Sequence, residues 1–188
     1  MTYPDGTFLM LEDALQRPQL LEPPPVKIPR LVYEGRLTAL GGDAKCGKST
    51  LAGQAVAAFV TGERFLDEPL APGTAVWLAL DEPLGDAVRR LAGFGARRGV
   101  ALVPVRPSFE ELERIVRSLR AEVLVVDTLT ELAAGLVEDG NSAMQWQPIF
   151  KDLRDLLQRR RGHRPGFRHL PRPPGRQARP HRRLAPRL

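Results

Sequence analysis

The amino-acid sequence predicts an α/β fold in which a parallel sheet has helices on both faces. Two observations lead to this prediction. Short apolar runs of the length of buried strands alternate with stretches in which apolar residues recur at helical spacing, and this alternation is typical of parallel sheets. The chain of 188 residues is 43% hydrophobic and has one cysteine, so we expect one core without a disulfide framework.

Three regions follow from composition: an arm over 1–35, a core over 36–158 and a tail over 159–188. The arm contains PQLLEPPPVKIPR, whose prolines predict an extended segment packed on the core. No apolar run approaches the roughly 18 residues that span a bilayer. The N-terminus lacks the basic start and apolar centre of a signal peptide, so we expect no membrane partner and a cytoplasmic location.

Within the core, strands and helices are predicted in alternation along the chain. Ser108 and Glu111 have capping-box spacing and predict the start of one helix, and Asp86 is the predicted cap of another. The predicted strands are Leu37–Leu40, Ala75–Leu80, Ala101–Val105 and Val123–Val126, and helices are predicted around Leu51–Phe59, Val88–Phe94, Leu112–Leu119 and Ile149–Leu157.

A phosphate loop is predicted between the first strand and the first helix. Gly42, Gly47, Lys48 and Ser49 occupy every fixed position of G-x-x-x-x-G-K-[ST]. Glycines allow the backbone amides to surround a phosphate, and the helix that follows directs its positive end at the anion. We expect Lys48 to reach the β and γ phosphates of a nucleotide and Ser49 to bind Mg²⁺. The other predicted nucleotide-binding residues are Asp43, Ala44, Lys45, Cys46 and Thr50.

Acidic residues follow two of the predicted strands. Asp127 ends the run Val123–Val126, at the sheet edge where open α/β sheets bind ligands, and is the predicted second metal ligand. Hydrolysis also needs a base that activates water. Asp81 and Glu82 end the strand after the phosphate-loop helix, and either could be this base.

The segments GDAKCGKSTL, WLALDEPLGDAVRRL and VLVVDTLTEL resemble the core motifs of RecA-like P-loop ATPases. They are most similar to RepA-type replicative helicases and AAA-family ATPases of plasmids and phages. In that family the base is a glutamate, commonly within Glu-Asp-Pro, whereas this chain has Asp81-Glu82-Pro83. Register favours Asp81, and residue type and reach favour Glu82. The resemblance implies a RecA-like fold, ATP hydrolysis with Mg²⁺, and a ring of identical subunits that moves along DNA.

The resemblance covers about residues 28–158, and the tail departs from it. Family members continue with a fifth core strand, whereas residues 159–188 contain 11 of the 28 basic residues and none of the 22 acidic ones. The core is therefore acidic and the tail basic. Three interpretations remain: a basic arm that binds nucleic acid, a solvated disordered extension, or the product of a frameshift near codon 159 that removed the later core strands.

The predicted function is ATP binding with Mg²⁺-dependent hydrolysis. One alternative is a catalytically impaired nucleotide-binding fragment, which the frameshift would favour. Another is a small-molecule kinase, but no arginine-rich lid lies between the acidic strands, and Arg89, Arg90, Arg97 and Arg98 are predicted as helix-surface charges. A GTPase is disfavoured because the chain has no Asn-Lys-x-Asp element.

Overall fold

A computed structural model of the protein describes residues 9–140 and 142–161. The first eight residues and the tail from 162 onward lie outside the described residues, so the interpretations of the tail concern residues that the structure does not describe. Over the described residues, no helix has both the length and the apolar character that a membrane crossing requires.

The segment predicted as an extended arm contains regular structure. It forms two short helices, α1 (Leu11–Leu15) and α2 (Pro18–Leu21), and an antiparallel hairpin of β1 (Val26–Ile28) and β2 (Val32–Tyr33). Pro18 is the first residue of α2, where its missing N–H is not needed. The hairpin is anchored because Ile28 is buried in the core.

The core follows in the predicted alternation of helix and strand. Its sheet has three strands in the order β4-β3-β5, and both neighbouring pairs are parallel. This confirms the predicted α/β class with a parallel sheet. The elements are α3 (Lys48–Thr61), β3 (Ala75–Ala79), α4 (Leu84–Gly93), β4 (Val100–Val103), α5 (Phe109–Ser118), β5 (Val123–Asp127), α6 (Leu129–Leu132) and α7 (Ala143–Arg161).

Helices cover both faces of the sheet, as predicted. The central strand β3 is buried along its whole length, and its side chains alternate between two apolar clusters. Trp77 packs on the face covered by α3 and α4, whereas Val76 and Leu78 pack on the face covered by α5, α6 and α7. The burial of both faces explains why β3 is a continuous apolar run.

The strand predicted at Leu37–Leu40 is not formed, and this prediction was wrong. Leu37 and Leu40 are exposed, and residues 36–40 have no strand partner among the described residues. A strand requires a neighbour for its amides and carbonyls. Within the described part of the chain, β5 pairs with β3 alone, so the other edge of β5 has no strand partner there.

The predicted start of α5 is confirmed, whereas the boundaries of α4 and α7 differ from the prediction. The predicted capping box of α5 is confirmed, because the Ser108 hydroxyl accepts from the Glu111 amide and the Glu111 carboxylate accepts from the Ser108 amide. Helix α4 begins earlier than predicted, after Pro83, and Asp86 lies in its first turn. Helix α7 runs through Arg161, so the first residues of the predicted tail are helical.

Candidate functional site

The phosphate loop leads directly into α3. Its residues 42–47 are exposed and have no regular structure, and Gly47 is the N-cap of α3 with φ +93°. A left-handed conformation at this position favours glycine over residues with a side chain. The first amides of α3 have no acceptor within the helix and carry the positive end of its dipole. The loop therefore has the backbone arrangement that favours an anion at its end.

Lys48, the first residue of α3, folds its side chain back over the phosphate loop. Its Nζ donates to the carbonyl oxygens of Gly42 at 2.8 Å and Asp43 at 2.7 Å. It also lies 3.7 Å from the Cys46 sulfur, which is a free, exposed thiol. The ammonium group is thus held against the backbone of the loop, where the predicted phosphates would lie.

Ser49 and Asp127 meet at the carboxyl edge of the sheet. The Ser49 hydroxyl donates to Asp127 Oδ1 over 3.1 Å, although the two residues are 78 positions apart in the chain. The contact forms because α3 begins, and β5 ends, at the same edge of the sheet. Mg²⁺ prefers oxygen ligands and is commonly bound by one or two protein oxygens together with nucleotide phosphates. A hydroxyl beside a carboxylate fits that requirement.

Burial raises the pKa of Asp127 above its ordinary value, because the carboxylate loses water. The hydrogen bond from Ser49 and the charge of Arg90 act in the opposite direction, whereas the charges of Glu82 and Asp81 add to the rise. Two acidic side chains that follow β3 therefore act on the carboxylate at the end of β5. A cation bound there would relieve this repulsion.

The two candidate bases occupy different environments. Glu82 is 19% exposed and accepts from both terminal nitrogens of Arg90, one of them at 2.7 Å. The same guanidinium lies 3.8 Å from Asp127 Oδ2, so Glu82 and Asp127 share one cation. Asp81 is exposed, and it acts on Asp127 through its charge, which helps to raise the pKa of Asp127. The structure thus brings Glu82, and not Asp81, into contact with the group around Asp127.

Thr50 and the remaining loop residues are placed less specifically. Ala44, Lys45 and Thr50 are exposed beside the loop, and Lys45 has φ +63°. The amide of Cys46 donates to the carbonyl of Asp43 over 3.3 Å, which closes a turn inside the loop. These residues therefore shape the loop through their backbone.

Arg90 is the site residue that sequence reasoning missed. It was predicted as a surface charge, but its side chain is only 19% exposed and its guanidinium carbon lies 5.3 Å from the centre of the Trp77 ring. The neighbouring Arg89 is 76% exposed, as predicted. Helical spacing gave only part of the signal: Arg90 follows Ala87 by three positions and directly precedes Leu91, and both of these residues are buried on the helix face that packs on the core.

Comparison with known proteins gives one positive result. Residues 8–173 match the model of a protein family described as AAA domain. The match begins before residue 28 and continues past residue 158, the limits expected for the resemblance, and so includes part of the tail. Curated proteins and solved structures gave no match. Because the matched range takes in most of the sequence, including the phosphate loop and both acidic strand ends, the chain belongs to the AAA-domain family of P-loop ATPases.

Proposed function

We propose that this protein binds ATP with Mg²⁺ and hydrolyses it. The observation that carries the proposal is the 3.1 Å contact between the Ser49 hydroxyl and Asp127 Oδ1 at the start of α3. In this proposal Lys48 and the loop amides bind the phosphates, and Ser49 and Asp127 hold the metal ion. When bound, Mg²⁺ would offset charge on the phosphate oxygens during transfer.

Glu82 is the proposed base, and Asp81 is the second choice. The choice of Glu82 is supported by the arrangement at the sheet edge, where Glu82 shares the Arg90 guanidinium with Asp127. A carboxylate in that position can accept a proton from water at the metal side of the site. Asp81 is exposed and lies one residue closer to β3. Either residue would act as a general base, so separate amide variants distinguish them.

Nucleotide binding is tested with a fluorescent ATP analogue titrated into the purified chain, with and without Mg²⁺. The variant Lys48→Ala should lose Mg²⁺-dependent binding, because it removes the charge held over the loop. The matched control is Lys151→Ala, which removes an exposed lysine from α7 and should bind like wild type. Wild-type protein that binds no nucleotide in the presence of Mg²⁺ would refute the proposal.

Hydrolysis is tested by phosphate release. The variant Glu82→Gln should keep nucleotide binding and lose turnover by about 10²-fold to 10⁴-fold, the usual contribution of a general base. Asp81→Asn should retain most of the activity, and Glu110→Gln, at an exposed site on α5, is the control. If Asp81→Asn is inactive and Glu82→Gln is active, the two roles are exchanged.

We also propose a role like that of RecA-like replication ATPases, with DNA as partner and a ring of identical subunits as the active form. The support is the family membership together with the three sequence motifs that resemble RepA-type helicases. Single-stranded DNA should then stimulate ATP turnover, and ATP with Mg²⁺ should shift the protein to a larger size by light scattering. A turnover rate per protein molecule that changes neither on addition of DNA nor with protein concentration would argue against this role.

A second candidate is a nucleotide-binding domain with little or no turnover. The observation that favours it is the unformed strand at 37–40, together with a β5 that pairs on one side only among the described residues. The proposed cause of the low turnover is a frameshift near codon 159 that removed the later core strands. Wild-type turnover equal to that of Glu82→Gln would support this candidate. A Val/Leu-rich strand in another reading frame of the downstream DNA would support the frameshift, and its absence from both frames would refute it.

A further inference from the structure

The side chain of Arg90 is only 19% exposed, and removing most of it from water has a cost that its surroundings must offset. Its guanidinium carbon lies 5.3 Å from the centre of the ring of fully buried Trp77, and its Nε has no hydrogen-bond partner among the described residues. Gly53 of α3 faces it closely, because a Cβ added to Gly53 would lie 3.5 Å from that Nε. Burying a guanidinium is unfavourable unless carboxylates compensate its charge. The contacts of the other two guanidinium nitrogens must therefore offset the cost of removing Arg90 from water.

Those two nitrogens face carboxylates from two different strand ends. Both bond to Glu82, one on each carboxylate oxygen, which is the two-pronged geometry that arginine and carboxylate favour. Nη2 also lies 3.8 Å from Asp127 Oδ2, while Asp127 Oδ1 accepts from Ser49. A continuous chain of polar contacts therefore runs from Glu82 through Arg90 and Asp127 to Ser49.

We propose that Arg90 is a positioning residue for the hydrolysis proposed above, and that its guanidinium holds the Glu82 carboxylate beside the Asp127–Ser49 pair. This inference rests on the proposed function. Two carboxylates at one sheet edge repel each other, and one shared cation keeps them together. The paired oxygens also fix the rotation of the Glu82 carboxylate, which one hydrogen bond would leave free. Arg90 itself touches neither nucleotide nor water in this scheme.

The direct test measures kcat and KM for ATP in three variants. Arg90→Met keeps an unbranched side chain and removes the cation, and it should lower kcat by about 10-fold to 100-fold, as misplacement of a reacting group does. KM should stay within about twofold, because Arg90 does not bind the nucleotide. Arg90→Lys restores the charge without the second prong, and it should recover part of kcat. Arg89→Met, which removes the exposed neighbour that pairs with Asp86, should behave as wild type.

A second measurement tests whether Arg90 and Glu82 interact, as the positioning role requires. The melting temperatures of wild type, Arg90→Met, Glu82→Gln and the double variant form a cycle, measured without nucleotide. If Arg90 holds Glu82, the two shifts are not additive, whereas the shifts of Arg89→Met and Glu82→Gln are. Additive shifts in the Arg90 cycle would overturn the inference.

The possible failures can be told apart. If wild type hydrolyses ATP and Arg90→Met keeps its kcat, the positioning role is wrong and the proposed function stands. If Arg90→Met loses kcat and Arg90→Lys recovers none of it while both variants melt far below wild type, Arg90 is structural only and the inference fails. If wild type itself shows no turnover, the proposed function fails, and the positioning role fails with it.

Discussion

Replacing Gly47 with alanine tests whether the phosphate loop depends on its left-handed backbone. Gly47 has φ +93° and ψ 14°, and a Cβ added there would meet no atom of the described residues within 4 Å. The substitution therefore introduces no clash, and its cost is confined to the backbone. For a residue with a Cβ this conformation costs roughly 1–2 kcal/mol. Thermal unfolding of Gly47→Ala should then occur about 2–8 °C below that of wild type for a domain of this size.

The loop could also relax out of the strained conformation in the variant. The unfolding free energy would then change little, and nucleotide binding would require the loop to return to it. The backbone cost of roughly 1–2 kcal/mol would then appear as an affinity for nucleotide that is lower by about 5-fold to 30-fold. The sum of the stability loss and the affinity loss should therefore be near 1–2 kcal/mol. Both quantities are measured on one preparation, by thermal unfolding and by titration with the ATP analogue.

The matched control is Gly41→Ala, one residue before the phosphate loop. Within the part of the chain that the structure describes, a Cβ at Gly41 also meets no atom within 4 Å, but the backbone of Gly41 is outside the left-handed region. This variant should unfold and bind nucleotide within experimental error of wild type. Equal losses in Gly41→Ala and Gly47→Ala would refute the argument, because the two positions differ in backbone conformation and not in space.

Three further predictions concern the framework around the site. Gly73→Ala should destabilise the protein by about 3 kcal/mol, because the new Cβ would overlap the ring of buried Phe59. Leu112→Ala, at a fully buried position of α5, should cost about 2–5 kcal/mol in urea unfolding. The hydrogen bonds from Ser108 lower the pKa of Glu111, so its contribution to stability is present above its ordinary pKa of 4.5 and is lost as pH falls through the lower folded value. The melting-temperature gap between wild type and Glu111→Gln should therefore close in acid.

Each of these predictions has a control of the same chemical kind. Gly93→Ala adds a Cβ that has no neighbour within 4 Å among residues 9–140 and 142–161, and Leu119→Ala truncates an exposed leucine. Both variants should stay within about 0.5 kcal/mol of wild type. Glu110→Gln alters the same first turn of α5 outside the capping box. A control that loses as much stability as its partner, or a Glu111→Gln gap that widens in acid, would contradict the physical reason given for that prediction.

Local sequence patterns were sufficient to predict the three strands of the observed parallel sheet and the place of the phosphate loop. The apolar run through Trp77 marks a strand buried on both faces, and Ser108 with Glu111 marks a helix start, because both signals depend on neighbouring residues alone. The meeting of Ser49 with Asp127 could also be predicted, because parallel strands place their carboxyl ends at one edge. The catalytic and metal-binding roles of these residues stay predictions.

Two features could not be predicted because they depend on partners distant in the chain. The apolar residues at 37–40 have the composition of a strand, but a strand exists only where another strand pairs with it. The burial of Arg90 depends on where α4 packs and on which carboxylates then face it. Helical periodicity places Arg90 on the face of α4 that packs on the core. Its partner, Glu82, reaches it only after the chain folds.

The 78-residue separation between Ser49 and Asp127 also has a consequence for the order of folding. Helix α3 leaves the ribosome long before β5, so a growing chain carries a complete phosphate loop with nothing opposite its serine. The two residues meet only after β5 has joined the edge of β3, which is a late, non-local event. Stalled chains of increasing length should therefore acquire the Ser49–Asp127 contact in one step, once β5 has emerged.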